Sequence, residues 1–246
     1  EGGNAVASGS FERSDLLAGQ VNQIGRAEAG LSGVSGAKKL IVRVRIEGTP
    51  HANQWEMWVY PAAVPEAQDD AVTIAEELDE HTLNLLQDGA DVLLVLKSGT
   101  VRNALPGVFT TVFWNVLMKK QVGTMGLLCD PSHPIFGHFP TEFHTNWQWW
   151  DIVMNSSALR LDSAPFLFRP IVQVIDAFHE NKKLGIIFEA RVGKGKLLTC
   201  AADILSNLDQ RPAARQLRYS ILQYMGGGKF QPKFALSVEQ LRKLLE

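Results

Sequence analysis

The chain has 246 residues, 46% of them hydrophobic, which is enough for one large or two modest domains with real cores. Its 24 Lys and Arg stand against 26 Asp and Glu, a formal charge of -2, so no overall basic field points to nucleic acid or to an anionic membrane surface. No apolar run approaches the roughly 20 residues of a membrane-spanning helix, and EGGNAVASGS shows neither the basic nor the apolar region of a targeting signal.

Residues 1–9 are small and polar and read as a frayed end. From Phe11 to Tyr60 the pattern is β: Val21–Ile24 is short, Leu40–Ile46 alternates as LIVRVRI, and Trp55–Tyr60 reads WEMWVY. In LIVRVRI, Arg43 and Arg45 face one side and Val42, Val44 and Ile46 the other, the mark of a sheet with one wet face. Two or three strands make a poor independent core. Residues 1–61 are therefore expected to be part of an immunoglobulin-like β-sandwich whose other strands lie elsewhere, the chain being a fragment of a longer protein. Pro61–Asp70, PAAVPEAQDD, carries two prolines and an acidic pair and reads as a linker.

Residues 62–232 read as a second domain. Val72–Ile74 predicts a short strand, and Ala75–Gln87 a helix with Leu78, Leu83, Leu85 and Leu86 inward and Gly89 as its stop. Asp91–Leu96 then predicts a fully buried strand, and strand-helix-strand implies a parallel sheet. Lys97–Val122 is too apolar for a disordered loop and reads as a folded excursion; its Lys97-Ser98-Gly99-Thr100 lacks the order of a phosphate loop. Met125–Cys129 predicts a buried strand ending at Asp130-Pro131. Trp149–Asn155 predicts a helix, Leu159–Leu161 and Ile171–Ile175 strands, and Leu184–Ala190 with Lys196–Ala201 a hairpin about Arg191–Gly195. Pro212–Met225 is an amphipathic helix with Pro at its start, and residues 233–246 hold a C-terminal helix, Val238–Leu245, capped by Ser237 with Gln240 three residues on. The expected fold is an α/β, flavodoxin-like three-layer domain, helices around a mainly parallel sheet, preceded by part of a β-sandwich.

Chemistry-bearing residues concentrate between Gly123 and Asp151, which holds three of the six His, three of the six Trp and one of the two Cys. Open α/β sheets bind ligands beyond the carboxyl ends of their strands, so Asp130, His133, His138, Glu142, His144 and Asn146 are placed for function. Trp147, Trp149 and Trp150 add indole faces that stack on sugar rings and on protein partners alike; two of the three are expected in the core. Cys129, His133, His138 and His144 match no short chelating pattern, so no metal or cofactor is expected. Cys129 as a nucleophile needs a tight elbow and a cation, and Leu128 and Asp130-Pro131 supply neither, which favours two inert strand thiols, Cys129 and Cys200. Glu142, Asp151, Glu189 and Asp203 are candidate carboxylates for glycoside hydrolysis, and Arg211 with Arg215 could clamp one of them, Glu142 or Asp203.

The stretches GLLCDPSHPIFGHFPTEFHTNWQWWDIV, RPIVQVIDAFHENKKLGIIFEARVGKGKLLTCAADI and RPAARQLRYSILQYM resemble the C-terminal region of bacterial glycoside hydrolase family 2 proteins, the β-galactosidase-like sugar-binding proteins. EGTPHANQWEMWVYP resembles the end of the β-sandwich that precedes that region. The resemblance covers most of residues 40–232. It implies a fold similar to class I glutamine amidotransferases, with the hydrolytic chemistry in an upstream barrel, no catalytic pair carried over to this chain and no amidotransferase elbow. The implied role is a non-catalytic accessory module whose partners are the catalytic domains of a parent glycoside hydrolase and carbohydrate, in the periplasm or outside the cell. Candidate ligand or interface residues are Trp147, Trp149, Trp150, His144, Glu142, Asn146, His133 and Asp130. The rival readings are a hydrolase or amidotransferase-like enzyme using Cys129 with a nearby His, and an oligomerisation module.

Overall fold

The computed structural model describes residues 3–12, 14–65, 72–109, 126–177 and 180–245. Before Lys38 the described chain forms neither strand nor helix. The strand expected at Val21–Ile24 does not form, and Val21 and Ile24 are exposed with no strand beside them.

The first regular element is an antiparallel hairpin of β1 (Lys38–Arg45) and β2 (Ala52–Val59), in register from Lys38↔Val59 to Arg45↔Ala52. Alternation sorts its faces. Leu40, Val42 and Val44 stand opposite Met57, Trp55 and Asn53 on one; Lys39, Ile41 and Arg43 stand opposite Trp58, Glu56 and Gln54 on the other. The second face is the wet one that LIVRVRI implies. The first is apolar yet bare, with Val42, Val44, Trp55 and Met57 all exposed.

The rest of the chain builds one eight-stranded sheet. β3 (Thr73–Ala75) and β4 (Asp91–Val95) are parallel neighbours joined through helix α1 (Glu80–Asp88). The helix starts later than its apolar pattern suggests because Asp79 caps it, accepting the Thr82 N–H at 2.8 Å, and Gly89 ends it at φ 107°. The linker beyond Pro65 and much of the apolar excursion, residues 66–71 and 110–125, lie outside the described residues; β5 (Ala104–Pro106) precedes the latter. There follow β6 (Gly126–Cys129), helix α2 (Trp150–Met154), β7 (Ser157–Arg160), β8 (Val172–Ile175), β9 (Leu184–Val192) and β10 (Gly195–Cys200). Helices α3 (Pro212–Met225) and α4 (Val238–Leu245) complete the chain.

The strands run in the order β3-β4-β10-β9-β7-β5, with β8 also paired to β9 and carrying β6 outward. Two pairings, β3–β4 and β4–β10, are parallel; the other five are antiparallel. This corrects the flavodoxin-like, amidotransferase-like three-layer expectation. That fold repeats a helical crossover between successive parallel strands, whereas here the sheet is mixed and mostly antiparallel, and β9 turns straight back into β10 through Gly193. The misreading has a physical source: apolar runs such as DVLLV and LGIIFEARV report burial on both faces, and burial does not encode strand direction.

One face of the sheet packs Leu93, Val95, Leu198 and Cys200 against Leu217 and Ile221 of α3. The other packs Val92, Leu94, Leu197 and Phe188 against Leu86 of α1 and Leu241 and Leu244 of α4. The C-terminal segment is tied to β9, since the Arg191 N–H donates to Phe234 O at 2.8 Å and the Leu236 N–H to Arg191 O at 2.9 Å. Its helix begins with the reciprocal cap that the sequence predicts: Ser237 Oγ accepts the Gln240 N–H at 3.1 Å and Gln240 Oε1 accepts the Ser237 N–H at 2.9 Å.

At the start of β10 the chain passes close under α1. A Cβ on Gly195 would lie 2.4 Å from Ala90 O and 2.7 Å from Leu86 O, both backbone atoms that cannot swing away. Gly195→Ala should therefore cost about 2–3 kcal/mol in urea unfolding; an unchanged midpoint would refute so close an approach.

Candidate functional site

Between β6 and α2 the chain forms a long loop with two 3₁₀ turns, Pro134–Phe136 and Trp147–Trp149. All eight sequence-predicted residues lie on this loop or at its end. The expected geometry is different, however, because β6 is an antiparallel outer strand paired with β8, and its end is no crevice at the carboxyl edge of a parallel sheet.

Most of the polar residues hold the loop itself. Asp130 Oδ1 accepts the Ser132 N–H at 2.9 Å and its hydroxyl at 2.6 Å. His133 caps the first 3₁₀ turn, Nδ1 accepting the Ile135 N–H at 3.3 Å, and its ring meets Tyr224 edge-on at 5.3 Å. Burial lowers the His133 pKa, so the imidazole is neutral at pH 7. Asn146 caps the second turn through Gln148 N at 3.1 Å and donates from Nδ2 to Glu142 Oε2 at 2.5 Å. His144 is exposed, with Nδ1 3.0 Å from Thr145 O.

The tryptophans divide differently from expectation. Only Trp149 is core: it is fully buried between Phe136 and Phe139, and its indole N–H donates to Thr141 Oγ1 at 2.9 Å. Trp147 is 67% and Trp150 50% exposed, and Trp147 rests on Phe109 with ring centroids 5.3 Å apart.

Glu142 joins the loop to the hairpin. Its carboxylate pairs with Lys39, which also reaches Glu56 at 2.9 Å. Burial pushes the Glu142 pKa up, but the hydrogen bonds from Lys39 and Asn146 outweigh it and hold the carboxyl below its ordinary value. Beside this pair the Tyr60 hydroxyl donates to Gln148 Oε1 at 2.8 Å, while Gln148 Nε2 donates to Pro140 O at 2.8 Å. A third tie runs from Arg215, whose Nη2 donates to Pro61 O at 3.0 Å. Lys39, Tyr60 and Gln148 went unremarked at the level of sequence, since partners 88 to 103 residues apart leave no local pattern.

Cys129 Sγ approaches Glu142 O at 3.2 Å, and burial pushes its pKa to about 11; for fully buried Cys200 the figure is about 12. A nucleophilic cysteine needs the opposite shift. The four candidate carboxylates each have a structural partner. Glu142 is held as above, Asp151 and Asp203 share Arg211 at 2.8 and 3.2 Å, and Glu189 Oε2 accepts the Tyr224 hydroxyl at 2.7 Å. Of the two predicted clamps, Arg211 does grip Asp203, and Arg215 grips a carbonyl instead.

Residues 73–246 match the family described as a domain of unknown function, DUF8487. The chain belongs to the DUF8487 family. Residues 1–61 match a second domain of unknown function, DUF8488. Comparison with curated proteins gives no match.

The DUF8487 sheet carries one further polar group that the sequence does flag: Glu189 is the single acid within β9. Burial raises its pKa, and the hydrogen bond from Tyr224 offsets this only in part. The folded chain thus holds the Glu189 proton more tightly than the unfolded chain. Stability from this residue is fully present below the ordinary value of 4.5 and falls as pH rises through the raised one. Glu142 has the opposite sign: its contribution is present above the ordinary value and is lost as pH falls through the lowered one. Urea midpoints between pH 3 and 7 should show Glu189→Gln removing a decline with rising pH and Glu142→Gln removing a decline with falling pH. The reverse assignment would refute both. Iodoacetamide at pH 7.5 should label folded Cys129 slowly, because a thiol of pKa about 11 is roughly 0.03% thiolate there; rapid labelling would contradict the buried thiol.

Proposed function

We propose that this chain is a non-catalytic accessory portion of a β-galactosidase-like glycoside hydrolase, docked on the catalytic domains of that enzyme. The observation that carries this reading is the bare apolar face of the β1–β2 hairpin, where Val42, Val44, Trp55 and Met57 are exposed, the opposite face carrying Lys39, Arg43 and Glu56. Such a two-faced pair is half of a sandwich layer and asks for cover. The resemblance to the C-terminal region of glycoside hydrolase family 2 proteins supplies the kind of enzyme. The polar residues of the loop, committed to structural hydrogen bonds, and the raised pKa of Cys129 support a role without bond-breaking chemistry in this chain.

A second reading, carbohydrate binding, is favoured by Trp147. Its exposed indole, backed by Phe109, offers a flat platform of the kind on which the C–H face of a sugar ring stacks.

The barrel-bearing portion of the parent polypeptide, produced separately, should bind this chain in calorimetry. Val42→Glu should weaken that binding by about 2 kcal/mol or more, roughly 30-fold. Failure of the folded chain to bind, or light scattering that shows the same residues sealing a dimer of this chain, would overturn the docking role. For the second reading, galactosides should shift the tryptophan emission of the wild type and leave that of Trp147→Ala unchanged.

A further inference from the structure

Where the start of the hairpin meets the sheet domain, a cleft of about 540 Å³ opens between the two. Lys38 and Pro61 stand on one wall; Phe136, His138, Gln216 and Tyr219 stand on the other. Its size falls within the range of about 300–1,000 Å³ common for small-molecule sites.

The charge of the cleft is one-sided. No Asp or Glu is among its described lining residues. Lys39 spends its charge on Glu56 and Glu142, whereas neighbouring Lys38 has no ion pair among the described residues. Lys38, unpaired among the described residues, thus lines a space walled partly by rings and prolines.

The other polar groups are fixed in place but not used up. The His138 backbone is pinned from both ends, its N–H donating to Ser220 Oγ at 3.0 Å and its carbonyl accepting Gln216 Nε2 at 2.6 Å. Its imidazole lies against the Tyr219 ring, centroids 5.1 Å apart, and neither the ring nitrogens nor the Tyr219 hydroxyl has a hydrogen-bond partner among the described residues. Gln216 is 3% exposed, and its Oε1, closed off from solvent, has no partner among the described residues.

We propose that this cleft binds a sugar acid, with the carboxylate on Lys38 and the hydroxyls on His138 and Tyr219. Lys38 selects an anion, the His138 ring nitrogens and the Tyr219 hydroxyl select hydroxyl groups, and Phe136 with Pro61 selects an apolar ring face. A hexuronate carries all three. A bare inorganic anion leaves the apolar wall unmatched, and a neutral hexose leaves Lys38 unmatched. The residues concerned are distinct from Val42, Trp55 and Trp147, so this site and the docking role stand or fall separately.

Calorimetric titration of the whole chain with galacturonate, galactose and inorganic phosphate at one ionic strength tests this. Galacturonate should bind saturably and at least about tenfold more tightly than galactose or phosphate. Lys38→Gln and His138→Ala, both on exposed positions, should each weaken galacturonate by about tenfold with unchanged circular dichroism, and Trp147→Ala should leave it unaltered. Equal affinity for galacturonate and galactose, equal affinity for phosphate, an unaffected Lys38→Gln variant, or no saturable binding at millimolar galacturonate would each overturn the proposal.

Discussion

Strand β10 is the constraint on which the sheet domain depends. Among the described strands it alone has a parallel neighbour on one edge, β4, and an antiparallel neighbour on the other, β9. Its side chains are spent on both faces at once, Leu197 toward α1 and α4, Leu198 and Cys200 toward α3. A strand so placed needs its backbone to enter beneath a helix, which Gly195 permits, and needs its partner to turn back within two residues, which Gly193 at φ 60° permits. From that junction the parallel half, β3 and β4, and the antiparallel half, β9 with β7 and β8, grow in opposite directions.

The loop between β6 and α2 lies on the side of the sheet covered by α3, and that helix holds it. Ser220 Oγ donates to Ile135 O at 2.6 Å and accepts the His138 N–H, while Gln216 holds the next turn of the loop by the His138 carbonyl. Phe136, Phe139 and Trp149 then fill the space beneath. A loop this rich in His, Trp and acids owes much of its composition to the work of staying folded without a strand or long helix. Buried backbone groups that no regular element satisfies must be satisfied by side chains.

What could be read from the sequence follows from the range of each signal. Caps, turns and periods act over a few residues, and Asp79, Gly89, Gly193, Pro212 and the Ser237–Gln240 pair all stand where local rules put them. The alternation of Arg43 and Arg45 against Val42 and Val44 likewise gave the two faces of the hairpin correctly. Strand direction is a long-range property, and with it went the flavodoxin-like reading and the notion of a crevice after β6. At the level of the site, sequence located the loop and not its wiring. Trp149 and its neighbours Trp147 and Trp150 are chemically alike, and only the position of Phe136 and Phe139 decides which one is core. The cleft was invisible for the same reason, since Lys38 and Tyr219 are brought together by the fold alone.

The two parts of the chain are unequal in what they bury. The sheet domain is covered on both faces, while the hairpin leaves one face bare and is moored to the loop and to α3 by polar ties: Lys39 to Glu142, Tyr60 to Gln148, and Arg215 to Pro61. A partly exposed ion pair such as the first contributes about 1 kcal/mol or less, and a neutral hydrogen bond about as much, so these ties orient the hairpin more than they stabilise it. Completing the burial of Val42, Val44, Trp55 and Met57, each now about half exposed, is worth roughly 3–6 kcal/mol. That is comparable to the entire net stability of a small domain. The free energy still available to this chain therefore lies at the hairpin face, and whatever covers that face gains more from the contact than any polar group in the loop could supply.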